Sequence, residues 1–178
     1  MNRPIKTLLE KIRYYEWAYG RLAETDSDIG VLGEYLVGRE LNCLPKGGRK
    51  AQALYDLVTP DGVSIEVKTT SRWKKYPDGR KVRVWEIADQ LTAFAGKRPL
   101  AQIWTFLVAD FPPDVDKQSS FNAFDLRWWT VYVTTGERLR TLNPKRSITL
   151  NMLNRLQVPA HPLTDLKKLV VNQMKNGE

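Results

Sequence analysis

Apolar residues recur at helical spacing from Ile5 to Leu22, where Ile5, Leu8, Leu9, Ile12, Tyr15 and Tyr19 fall every third or fourth position. This spacing predicts a helix, with Pro4 at its first position, where the missing N–H costs nothing. A second helix is expected to start at Asp26, Ser27 or Asp28 and run to about Leu41. Each of those three side chains can accept from the N–H groups of a first turn. Leu41 to Gly48 is turn-rich, with a Pro-Lys-Gly-Gly loop. Ala53 to Thr59 and Val63 to Thr70 then read as short strands on either side of Pro60-Asp61-Gly62. Val82 to Ile87, Gln102 to Val108 and Trp128 to Thr134 read as further strands, the middle one buried because it is apolar nearly throughout. Ala88 to Lys97 is a helix candidate, and Ser147 to Leu150 a last strand. Short helical pieces follow at Leu150 to Leu156 and Leu163 to Met174.

Helices, then strands, then helices predict an α/β or α+β domain built on a central mixed β-sheet flanked by helices. The 178 residues, 42% of them apolar, suit a single domain over 1–178. Within it, 1–25 is the N-terminal helix, 28–108 the core, and 109–178 a strand-and-helix extension. No run approaches the ~20 apolar residues of a membrane span, and the first residues lack a secretory pattern. Cys43 is the only cysteine and can make neither an internal disulfide nor a zinc site alone. A buried thiol in a reducing cytoplasm is the expectation. His161 is the only histidine, expected in a loop, which excludes chemistry needing a histidine pair. No P-loop sequence is present. Trp85, Trp104, Trp128 and Trp129 stand in apolar strand contexts and are expected in the core.

The turn decides which side chains meet. Pro60-Asp61-Gly62 suits a three-residue hairpin loop, with Pro fixing φ and Gly taking the left-handed position. That register pairs Val58 with Ser64, Leu57 with Ile65, and Asp56 with Glu66. Directly opposed residues share a sheet face, and Lys68, two residues on, shares it too. Two opposed carboxylates repel unless a cation lies between them. Oxygen ligands select Mg²⁺, with Mn²⁺ as a substitute, and the Val67 carbonyl is a further candidate ligand. Lys68 could orient or deprotonate a water, or neutralise a pentacoordinate phosphate. The plain alternative is a charged sheet face.

The net charge of +8 favours a polyanionic partner. Its basic residues cluster on both sides of the acidic centre, as Lys46, Arg49 and Lys50 before it and Arg72, Lys74, Lys75, Arg80, Lys81 and Arg83 after it. They read as two solvated loops or as two phosphate-contacting loops. Trp73, among the second group, reads as a base-stacking residue or a hydrophobic plug.

The stretch Leu54-Tyr55-Asp56 … Ile65-Glu66-Val67-Lys68 resembles the PD-(D/E)XK nuclease superfamily, whose fold is restriction-endonuclease-like. The usual proline before the motif aspartate is Tyr55 here. Many members carry a glutamate on the preceding helix, and Glu34 occupies that place. Gly30 and Gly38, four residues either side of it, leave that face bare for metal-bound water or phosphate, or else serve helix–sheet packing. The rest of the chain is similar to uncharacterised bacterial proteins sharing this core. The resemblance implies a divalent-metal-dependent endonuclease acting on DNA, in a restriction, defence or repair system, and double-strand cleavage would suit a homodimer. A non-catalytic nucleic-acid-binding module and an RNA-directed nuclease are the alternatives.

Overall fold

In the computed structural model, residues 3–18, 28–44, 55–71, 73–75, 77–79, 81–87, 90–97, 99–111 and 122–175 are described. Helix α1 spans Arg3–Ala18 and α2 spans Asp28–Leu41. The predicted hairpin follows, as β1 (Leu57–Val58) and β2 (Ser64–Thr70). The basic stretch after β2 forms β3 (Trp73–Lys75) and β4 (Lys81–Glu86), followed by one helical turn, α3 (Leu91–Phe94). Then come β5 (Ile103–Ala109), β6 (Trp129–Thr135), α4 (Gly136–Arg140), β7 (Ser147–Thr149) and α5 (Leu150–Arg155). The chain ends in β8 (His161–Pro162) and α6 (Leu166–Lys175).

The hairpin turn explains the start of the sheet. The Gly62 N–H donates to the Thr59 carbonyl at 2.9 Å, and the Thr59 N–H donates to the Val63 carbonyl at 2.9 Å. Gly62 has φ +84°, a conformation that a side chain would strain. The resulting register is the expected one, Leu57 opposite Ile65 and Val58 opposite Ser64. β2 runs parallel to β5, β5 antiparallel to β6, and β6 antiparallel to β8. These strands form a mixed five-stranded sheet in the order β1-β2-β5-β6-β8. A second, three-stranded sheet has the order β3-β4-β7.

All seven residues of β5 are buried, so this strand has a core on both faces. On one face Ile65, Val67, Ile103 and Leu107 pack with Val31, Tyr35 and Leu36 of α2 and Leu166 and Val170 of α6. On the other, Trp104, Phe106 and Val108 pack with Trp85, Ile87, Leu139, Ile148 and Leu153. The domain is therefore α+β, a mixed sheet flanked by helices. Among the described residues, no helix is long and apolar enough to cross a membrane.

Several expectations need correction. Among the described residues of α1, Leu9, Ile12 and Tyr15 of the predicted stripe are 41, 45 and 62% exposed, whereas Tyr14, Trp17 and Ala18 are buried; Ile5, Leu8 and Tyr19 of the stripe lie outside the described side chains. The aromatic side of the helix prevails because Tyr14 meets Tyr35 and Phe124, each at 5.4 Å between ring centroids. Such rings bury a large apolar area each and add edge-on attraction. His161 stands in a short strand opposite Val131 rather than in a loop. Trp128 is half-buried, while Trp85, Trp104 and Trp129 are in the core. The second basic run is an antiparallel ribbon rather than a loop, with Trp73 opposite Arg83 and Lys75 opposite Lys81.

Candidate active site

β2 carries the central residues. Ile65 and Val67 face α2, so Glu66 and Lys68 turn to the opposite side, in register with Trp104 and Phe106 of β5. Glu66 is 1% exposed, and its Oε1 lies 2.9 Å from the Lys68 Nζ. The same oxygen accepts the Gln90 Nε2–H at 2.7 Å. The Glu66 backbone is held as well, because the Thr105 hydroxyl donates to its carbonyl at 3.2 Å.

Asp56 precedes β1 in a bend, and its Oδ2 accepts the Val67 N–H at 2.8 Å. The carboxylate thus replaces the next rung of the ladder and lies at the edge of β2. In an extended strand the N–H and C=O of one residue project to the same side. The Val67 carbonyl therefore projects to the edge where Asp56 lies, next to Glu66 and Lys68 in sequence. The hairpin register holds from Leu57 to Ser64, but Asp56 stands in a bend beyond the paired residues and meets the Val67 N–H at the edge of β2, rather than standing in the ladder opposite Glu66.

Glu34 is buried at 8% exposure on α2, which covers the other face of the sheet. Its neighbour Gly33 packs so closely on β2 that an added Cβ would stand 2.0 Å from the Thr69 Oγ1. Gly38 has a packing role too: a Cβ there would lie 2.6 Å from Leu44 and 3.3 Å from Leu57. Packing, rather than a bare approach to Glu34, accounts for this glycine. Among the described residues no three His, Cys, Asp or Glu side chains form a group able to hold a metal ion. The residues that could hold a cation here are the Asp56 and Glu66 carboxylates and the Val67 carbonyl. An all-oxygen set with two carboxylates fits Mg²⁺, which keeps waters and takes substrate oxygens for its remaining positions.

Gln90 is a partner of Glu66 that sequence reasoning misses. It precedes α3, is 7% exposed, and reaches Glu66 from 24 positions away. A lone amide has no spacing signature, and only the tertiary contact reveals it. Of the expected nucleic-acid contacts, Trp73, Lys74 and Lys75 lie on β3, and Lys81 is exposed on β4. Lys46, Arg49, Lys50, Arg72 and Arg80 lie outside the described residues. No protein-family model matches the chain, and no curated protein matches it either.

Proposed function

We propose that the protein is a divalent-metal-dependent nuclease that hydrolyses phosphodiester bonds in DNA, in a restriction, defence or repair system. One observation carries the reading: a carboxylate 1% exposed and a lysine beside it on a sheet face whose next strand presents Trp104 and Phe106. Burying an ion pair costs several kcal/mol per ion before attraction returns it, and apolar residues of similar volume often serve stability as well. Asp56 at the adjoining edge adds a second carboxylate where the fold could have used another ladder rung.

In this reading Asp56, Glu66 and the Val67 carbonyl would hold Mg²⁺ or Mn²⁺. Bound there, the cation would supply an activated water and stabilise charge on phosphate oxygens. Gln90 fixes the Glu66 carboxylate. Lys68 orients or deprotonates the attacking water, or neutralises charge on the pentacoordinate phosphate. Lys74, Lys75 and Lys81, with Arg72, Arg80, Lys46, Arg49 and Lys50, would contact the DNA backbone, and Trp73 would stack or wedge. A homodimer in the cytoplasm suits double-strand cleavage.

Metal titration separates this reading from a binding module that does no chemistry. Mn²⁺ is expected to raise the melting temperature of the wild type and not that of Asp56→Asn. Equal shifts for both, or none for either, would contradict metal binding at this centre.

A further inference from the structure

Arg83 and Asp110 form an ion pair whose two halves differ sharply in exposure. The Arg83 Nη2 lies 2.5 Å from the Asp110 Oδ1, and the side chains are 8 and 52% exposed, respectively. Arg83 belongs to the buried side of β4 together with Trp85, a side continued by Ile87 just beyond the strand. Trp85 packs on Phe106 at 5.3 Å between ring centroids, and Phe106 is the register partner of Lys68. Arg83 is therefore on the same side of the sheet as Glu66 and Lys68, and it lies on the basic ribbon of β3 and β4.

The energetics of such a pair are lopsided. Stripping a buried guanidinium of its counter-ion is costly, so Arg83 requires an anion near it. Asp110 is half in water and loses little by turning outward, because solvent already screens it. One anion can thus replace another at little cost; a phosphate, like a carboxylate, can accept two parallel N–H bonds from guanidinium, and the basic ribbon around Arg83 favours the polyanion. Tyr132 belongs to the same group. Burial raises its phenol above the usual range, and Asp110 raises it further while Arg83 lowers it, so the hydroxyl stays protonated as a donor beside the exchange.

We infer that Arg83 is a covered phosphate-binding residue for the nucleic-acid backbone, with Asp110 as its resting counter-ion, displaced when substrate binds. The inference deepens the nuclease reading, resting on its claim of a nucleic-acid partner. It does not require cleavage.

The test measures duplex-oligonucleotide binding in EDTA, with melting temperature as the second readout. Asp110→Asn is expected to lower the melting temperature of the free protein and to tighten duplex binding by about threefold or more. Duplex should also stabilise Asp110→Asn more than the wild type. In an Arg83→Lys background, which keeps the charge but loses the fork, the Asp110→Asn gain should vanish. Asp78→Asn, which removes an exposed acid from the turn of the ribbon, controls for net charge. Equal or weaker binding by Asp110→Asn overturns the inference, as does a gain that persists with Arg83→Lys or is matched by Asp78→Asn. Extra stabilisation by inorganic phosphate alone, and none by duplex, would assign the site to free phosphate and overturn the backbone role. If no variant and no wild type binds duplex, the nucleic-acid reading itself fails; wild-type binding unaffected by Asp110 defeats only this inference.

Discussion

The Asp56 carboxylate accepts the Val67 N–H at 2.8 Å, taking the place of a backbone rung at the edge of β2. One side chain thus has two uses: it finishes a hairpin that has only two residues in its first strand, and it brings negative charge next to Glu66. The two uses can be separated by substitution.

Asp56→Ala removes both the acceptor and the charge, and should destabilise the fold by about 1.5–3 kcal/mol, the worth of a hydrogen bond with a charged acceptor. Asp56→Asn keeps an acceptor and should lose less stability, while losing metal binding as completely. Urea denaturation alongside Mn²⁺ titration checks the split. Equal stability losses for both variants would show that the Val67 contact contributes little.

Lys68→Met leaves the buried Glu66 carboxylate without its cation and should cost about 3 kcal/mol or more. Glu66→Gln combined with Lys68→Met should be more stable than Lys68→Met alone, because no charge is then stranded. A double-mutant cycle by denaturant unfolding measures the coupling. A double variant no more stable than Lys68→Met would mean that Glu66 is well solvated, against its 1% exposure.

Gly33→Ala should destabilise the protein by about 1–3 kcal/mol, since its methyl would need the space of the Thr69 side chain. The ideal Cβ stands 2.0 Å from the Thr69 Oγ1, and both residues belong to regular elements that cannot easily shift apart. Thr69→Ala should recover part of the loss. A stabilised Gly33→Ala, as its helix propensity alone would give, would contradict the close packing of α2 on β2.

Burial pushes the Cys43 thiol up from 9.0 to about 11. Folded and unfolded thiols are both protonated below about pH 9, so Cys43 adds no pH dependence there. Between 9 and 11 the unfolded state ionises first, and stability falls as pH rises through that window. Cys43→Ala should flatten this part of the pH–stability curve, and the native thiol should react slowly with disulfide reagents at pH 8. Fast labelling of the native protein would contradict the burial.

Much of this could be read from local chemistry. Pro60-Asp61-Gly62 determines its own turn, and the turn sets the register from Leu57 to Ser64, because strand pairing beside a tight loop has almost no freedom. The run ending at Val108, apolar nearly throughout, likewise announces a strand buried on both faces. Contacts between distant segments were not legible. Gln90 reaches Glu66 only after β4 folds back across β2, and the aromatic side of α1 outweighs its aliphatic stripe only because Tyr35 and Phe124 wait there. β4 is the strand expected from Val82 to Ile87, whereas its partner β3 hides in the sequence because three residues, two of them lysines, are too short a run to show alternation.

The most direct test of the central claim is plasmid cleavage by the wild type and by Asp56→Asn, Glu66→Gln and Lys68→Met, each confirmed folded, in Mg²⁺, Mn²⁺ and EDTA. The wild type is expected to nick or linearise plasmid with metal and not in EDTA, and every variant to lose about 100-fold or more. Cleavage that survives Glu66→Gln or EDTA undiminished would contradict the claim, as would wild-type protein that cuts no duplex, branched or single-stranded DNA with either metal.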